Sequence, residues 1–87
     1  MSSQAQQESG EYRTSDISYG AYLRVAKVPF LRSVREEGRS YFYFEDMGNM
    51  KALREGYFNG TAMVSAREMA DEMRALKTIM HMDQDGR

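Results

Sequence analysis

The chain has 87 residues, 41% of them hydrophobic and 29% charged, which predicts one small folding unit and excludes a multi-domain protein. With 12 Lys and Arg residues against 13 Asp and Glu residues, the net charge of -1 indicates no overall field that attracts nucleic acid or an anionic membrane. The sequence has no cysteine and one histidine, His81, which excludes disulfides, thiol nucleophiles and multi-histidine metal sites.

Both ends of the chain are predicted to be disordered tails. Residues 1–11 include only Met1 and Ala5 as apolar residues, which cannot offset the entropy lost on ordering. Residues 83–87 follow the last periodic apolar residue and end in Asp-Gly-Arg. The sequence therefore predicts a single domain over residues 12–82.

The first predicted helix begins after residue 14. The Ser15 hydroxyl is expected to accept hydrogen bonds from the first N–H groups, and Asp16 complements the positive end of the helix dipole. Apolar residues then recur at helical spacing on two stripes, as in a central helix. The stripes consist of Ile17, Ala21, Val25 and Val28, and of Tyr19, Leu23 and Ala26. Pro29 is expected to end the helix.

A period of two over residues 30–36 and 39–45 predicts two antiparallel strands joined by Glu37 and Gly38. With these two residues as the loop, the predicted pairing places Leu31 opposite Phe44.

One face of this hairpin then carries Phe42 and Phe44, and we expect it to be buried. The other face carries Tyr41 and Tyr43, and we expect it to be half-exposed, with Arg32 stacked on a tyrosine ring.

Two more helices are predicted after the hairpin. The second runs from about Gly48 or Asn49 to Asn59, and Gly60 takes the left-handed position of its C-terminal cap. In the third, Ser65 and Glu68 fit a capping box. The expected inward residues are Met50, Leu53 and Tyr57 in the second helix and Met69, Met73, Leu76 and Met80 in the third.

The predicted order of helix, hairpin, helix, helix belongs to the α+β class. Because a two-stranded ribbon is marginal alone in water, we expect the helices to pack on one face of a small antiparallel sheet.

Several short motifs spread over residues 12–82 carry a resemblance to a known family. They are Thr14-Ser15-Asp16, Phe42-x-Phe44 after Gly38-Arg39, Tyr57 with Asn59-Gly60, and Leu76-Lys77. By these motifs the sequence resembles a small family of uncharacterised bacterial and bacteriophage proteins grouped as a domain of unknown function. The resemblance implies a compact bacterial or phage domain and no assigned catalytic residue.

The candidate interaction surface lies on the hairpin and consists of Arg32, Arg35, Arg39, Tyr41 and Tyr43. Aromatic residues on a strand beside basic residues are typical of RNA-recognition modules. The structural interpretation is that alternating Phe and Tyr residues form the buried and half-buried sides of one strand. Those modules also need a four-stranded sheet, whereas two strands are predicted here.

The methionines offer a second candidate surface, because flexible thioethers suit adaptable contacts with a partner or a second copy. The sequence contains eight methionines, and the helical spacing of those in the last third equally fits an ordinary helix core.

The sequence shows no pattern that predicts catalysis. Adjacent acidic residues point apart on a helix or a strand, which argues against a general acid and base pair. These pairs are Glu36-Glu37, Glu45-Asp46 and Asp71-Glu72. His81 is expected at a helix end as a surface or capping residue. We therefore expect that the protein is not an enzyme and that it binds neither a metal nor a cofactor.

By elimination, the sequence predicts a non-enzymatic accessory or protein-interaction domain of a bacterium or phage. Its partner would be another protein, or its own second copy bound through the hairpin or the last helix. The alternative is a small nucleic-acid-binding protein that uses the aromatic and basic hairpin face. No apolar stretch approaches the ~20 residues of a membrane helix and no secretory signal is visible, which predicts a cytoplasmic protein.

Overall fold

The computed structural model describes residues 10–85, with side chains described up to residue 82. Its elements are β1 (Glu11–Thr14), α1 (Ile17–Val25), β2 (Phe30–Glu36), β3 (Arg39–Glu45), α2 (Met50–Phe58) and α3 (Ala66–Asp85). The predicted α+β class and the order of helix, hairpin, helix, helix are confirmed. Within the described residues, no helix combines the length and the apolar character that a membrane crossing requires.

The sheet has three strands instead of the two expected, in the order β1-β3-β2 with both pairs antiparallel. Strand β1 includes Glu11, and α3 includes residues 83–85, although both stretches were assigned to tails. Four residues are the shortest stretch over which a period of two can be recognised, and Tyr12 is the only large apolar residue of this one. The remaining predicted tail residues, 1–9 and 86–87, lie outside the described residues.

The predicted hairpin loop is correct. Glu37 and Gly38 have φ angles of 52° and 81°, the two positive values that a type I′ turn requires. From this turn to residue 32 the strands pair as expected, with Ser33 opposite Phe42.

The predicted pairing of Leu31 with Phe44 is wrong because the register shifts between Phe30 and Arg32. Phe30 pairs with Phe44, and their rings meet edge to face with centroids 5.5 Å apart. The extra residue Leu31 is displaced from the pairing and is 41% exposed.

The N-terminal cap of α1 is Asp16 rather than Ser15. The Asp16 carboxylate accepts a hydrogen bond from the Tyr19 amide at 3.0 Å, and the Thr14 hydroxyl accepts one from the Asp16 amide. Ser15 lies one residue too early, because the cap is the residue directly before the helix.

Helix α1 ends at Val25, before the expected break at Pro29. Lys27 adopts a φ of 70°, and the amide of Val28 donates to the carbonyl of Leu23. This is the hydrogen-bond pattern of a Schellman cap with lysine in the left-handed position that glycine usually occupies.

The C-terminal cap predicted for α2 and the serine half of the capping box predicted for α3 are present. Gly60 follows α2 with a φ of 78°, and the Ser65 hydroxyl accepts a hydrogen bond from the Glu68 amide at 3.2 Å.

The core lies between the sheet and the helices. Phe42 and Phe44 are 1% and 0% exposed, as predicted, and Leu76 of α3 is fully buried with them. A Cβ on Gly20 would lie 3.2 Å from Leu76 Cδ1, so the missing side chain lets α1 approach α3 closely. The inward methionines of α3 are half-buried against this core, which favours the core interpretation of that stripe. They are Met69, Met73 and Met80.

Candidate interaction face

The sheet has one face that no helix of residues 10–85 covers, and we call it the open face. Strand alternation and pairing assign nine residues to it. They are Glu11 and Arg13 on β1, Arg32, Val34 and Glu36 on β2, and Arg39, Tyr41, Tyr43 and Glu45 on β3.

The first feature of the open face is an arginine that crosses the central strand. Arg32 starts on β2, and its guanidinium carbon lies 4.4 Å from the centroid of the Tyr43 ring, which confirms the predicted stacking. Beyond the ring it reaches Glu11 on β1 with two hydrogen bonds, of 2.8 and 3.2 Å. These hydrogen bonds lower the pKa of Glu11 and raise the pKa of Arg32.

A second arginine crosses the same strand in the opposite direction. Arg13 starts on β1, and its guanidinium carbon lies 4.2 Å from the centroid of the Tyr41 ring. Its Nη1 atom lies 3.5 Å from Glu36 Oε1 on β2 and donates to the Tyr43 hydroxyl at 3.4 Å. The hydrogen bond to Tyr43 raises the pKa of Arg13.

The two crossings hold both tyrosine rings and both guanidinium groups in place on the open face. Each cation has an acidic partner on the opposite edge strand. Over the whole face three arginines stand against three glutamates, so that the formal charges cancel. They are Arg13, Arg32 and Arg39 against Glu11, Glu36 and Glu45.

The structure brings four of the five candidate residues to the open face and places the fifth elsewhere. Arg35 pairs with Ser40, whose side chain is buried on the helix side of the sheet. Because side chains alternate along a strand, Arg35 projects from the helix side, away from Tyr41 and Tyr43. The expectation that Arg35 belongs to the same surface is therefore corrected.

Glu11, Arg13 and Glu36 were not predicted to belong to this surface. The first two lie on β1, and Glu36 was considered only as half of an adjacent acidic pair. The alternation of charged residues with Tyr12 and Thr14 was the one available signal.

A second group of aromatic rings lies on the helix side and belongs to the core. Tyr19 is 2% exposed, and its ring centroid lies 5.3 Å from that of Tyr57 and 6.2 Å from that of Tyr12. Burial raises the pKa of the Tyr19 hydroxyl well above its ordinary value.

Acidic and histidine side chains do not gather into groups of three that could ligate a metal within the described part of the chain. His81 is exposed on α3.

Residues 9–82 match a family described as a domain of unknown function, DUF5659. The match covers nearly the whole folded part and confirms the predicted resemblance to a domain of unknown function. No curated protein and no solved structure matches the chain.

Proposed function

Because the chain belongs to the DUF5659 family, whose function is unknown, we propose its role from its geometry: it is a non-enzymatic accessory domain that binds another protein through the open face. The observation that carries this proposal is the pair of Arg–Tyr stacks at the centre of that face. Tyrosine and arginine are among the residues that are enriched in protein interfaces and their hot spots.

The stacks lower the cost of binding because they limit the freedom of the side chains before a partner arrives. The Arg32 guanidinium is held by Glu11 on one side and by the Tyr43 ring beneath it. Long side chains that are already ordered lose less entropy when an interface forms.

The charge pattern indicates the kind of partner. A uniformly anionic surface would meet three glutamates as well as three arginines, and it would have to displace Glu11 from Arg32 and Glu36 from Arg13. A protein surface with apolar groups between charges of both signs fits the open face better. The same balance weakens the case for a phosphate backbone, whose binding relies on unpaired cations.

We further propose a bacterial or phage source and a cytoplasmic location. The first is supported by the resemblance of the motifs to bacterial and bacteriophage proteins, and the second by the absence of cysteine from the sequence.

Site-specific photo-crosslinking tests the proposal: the purified chain is labelled on a single cysteine and added to a lysate of the source cells. Since the sequence has no cysteine, Val34→Cys on the open face can carry the only crosslinker, and Lys51→Cys on α2 is the matched control. We expect Val34→Cys to give a defined protein adduct, identified by mass spectrometry and then reconstituted with the purified partner. In the Val34→Cys chain, the additional substitutions Arg13→Glu and Arg32→Glu should abolish this adduct.

Two results would contradict the proposal. One is an identical set of adducts from Val34→Cys and Lys51→Cys. The other is micromolar binding of single- or double-stranded oligonucleotides in fluorescence polarisation, steeply weakened by salt and abolished by Arg32→Glu, which would favour the nucleic-acid alternative.

A further inference from the structure

A cavity of about 390 Å³ lies on the helix side of the hairpin, and at the β2–β3 turn it is also bordered by Arg39 of the open face. It is partly open to solvent and is bordered by the start of α1, the β2–β3 turn and the second half of α3. Ile17, Phe42 and Met80 supply its apolar lining. Its polar lining residues are Ser15, Arg39, Ser40 and Lys77. Its volume falls within the range of about 300–1,000 Å³ that is typical of small-molecule sites.

Ser40 is the unusual residue of this cavity. It is 7% exposed, and its hydroxyl has no hydrogen-bond partner among the described residues. On β3, Phe42 and Phe44 point to the same side of the sheet as Ser40. Buried hydroxyls in folded proteins nearly always have a partner, and a ligand in the cavity would supply one here.

Lys77 gives the cavity a positive charge. It is exposed on α3 and forms no ion pair within the described residues. By contrast, Arg74 on the same helix is paired with Asp71. The flexible stem of a lysine lets its ammonium group reach an anion held at the mouth of an apolar site.

We infer that this cavity is a binding site for a small carboxylic acid with an apolar body. The apolar part fills the space between Ile17, Phe42 and Met80, and the carboxylate pairs with Lys77 and accepts a hydrogen bond from Ser40. The Lys77 ammonium group and the unpartnered Ser40 hydroxyl match a carboxylate head group. The inference goes beyond the proposed function, since none of these five residues belongs to the open face.

Titration of the ¹⁵N-labelled full chain with octanoate, observed by NMR, tests the inference, with 1-octanol as the neutral probe of similar length. We expect shifts of the amide signals of Ser15, Ile17, Gly38 and Ser40, and about tenfold tighter binding of octanoate than of octanol, the effect of one charged contact. Lys77→Gln should remove this preference and leave octanol binding unchanged.

Three further variants separate the contributions. Lys51→Gln removes an exposed lysine on another helix and should leave octanoate affinity unchanged. Ser40→Ala should weaken octanoate binding severalfold while the protein stays folded, because it removes an unpaired buried hydroxyl. Arg13→Glu with Arg32→Glu should leave octanoate binding intact, so that this inference and the proposed function fail or succeed separately.

Equal affinities for octanoate and octanol, an unchanged octanoate affinity in Lys77→Gln, or shifts concentrated on the open face would each overturn the inference.

Discussion

The two faces of strand β3 carry the same kind of ring in different surroundings. Phe42 and Phe44 point under the helices and are almost fully buried, whereas Tyr41 and Tyr43 point away and are covered mainly by arginine side chains. The two pairs are adjacent in sequence and differ by one hydroxyl per ring. The comparison shows how strand alternation separates the residues that stabilise this fold from those available to a partner.

The largest expected effect comes from truncating one ring on each face. Phe44→Ala should lower the free energy of unfolding by about 3–5 kcal/mol, because it leaves a cavity in the core. Tyr43→Ala should lower it by only about 1 kcal/mol, the value of a cross-strand pair on an open face. Urea denaturation followed by circular dichroism measures both. Equal losses of unfolding free energy in the two variants would contradict the difference between the two faces.

A second test uses the buried tyrosine of the helix side. Tyr19 ionises near pH 10 in the unfolded chain, but burial raises its pKa in the folded protein. Above pH 10 the folded state therefore binds one proton more than the unfolded chain. The free energy of unfolding should then fall by up to about 1.4 kcal/mol per pH unit. In Tyr19→Phe the free energy of unfolding should fall less steeply over the same pH range. Each chain is compared with its own value at pH 8. Identical slopes would contradict the effect.

A third test concerns the turn, because a slip of one residue would exchange the two faces. Glu37 carries a positive φ that asparagine tolerates better. Glu37→Asn should therefore raise the free energy of unfolding by about 0.5–1 kcal/mol. Gly38→Ala, at a φ of 81°, should lower it by about 1 kcal/mol. Thermal unfolding measures both, and a destabilised Glu37→Asn would argue against this turn.

The smallest expected effect lies on the open face. The hydrogen bonds from Arg32 lower the pKa of Glu11, so that the stability they contribute is present above the ordinary glutamate pKa near 4.3. It is lost as the pH falls through the lowered pKa. A ¹³C NMR titration of the Glu11 carboxyl should give a midpoint below that of an isolated glutamate. Arg32→Gln should return it to the ordinary value, and Lys51→Gln should not change it.

Local signals predicted much of the fold. The period of two and the Glu37-Gly38 loop correctly predicted the hairpin and the burial of Phe42 and Phe44. This worked because a turn fixes the strand pairing next to it. The cap at Ser65 was equally legible, since a cap involves residues close in sequence. Leu31 was mispaired because a period of two does not encode a bulge. The bulge accompanies the contact between the Phe30 and Phe44 rings.

The candidate surface was predicted only in part. Arg32, Tyr41 and Tyr43 were assigned correctly to one face, because the hairpin contains all three. Arg13 was not predicted because β1 has only four residues, and its pairing with β3 identifies it as a strand of the sheet. Both arginine crossings depend on that pairing.

By itself, the sequence determined the class of the fold, the hairpin turn and the division of β3 into an apolar and a phenolic face. Spacing, turn residues and caps act over a few neighbouring residues, where the backbone restricts the outcome. The tertiary structure alone decided that β1 joins the sheet, that Arg13 and Arg32 cross its central strand, and that a cavity lies beside Ser40. These features join residues far apart in the chain, whose meeting depends on how the whole chain packs.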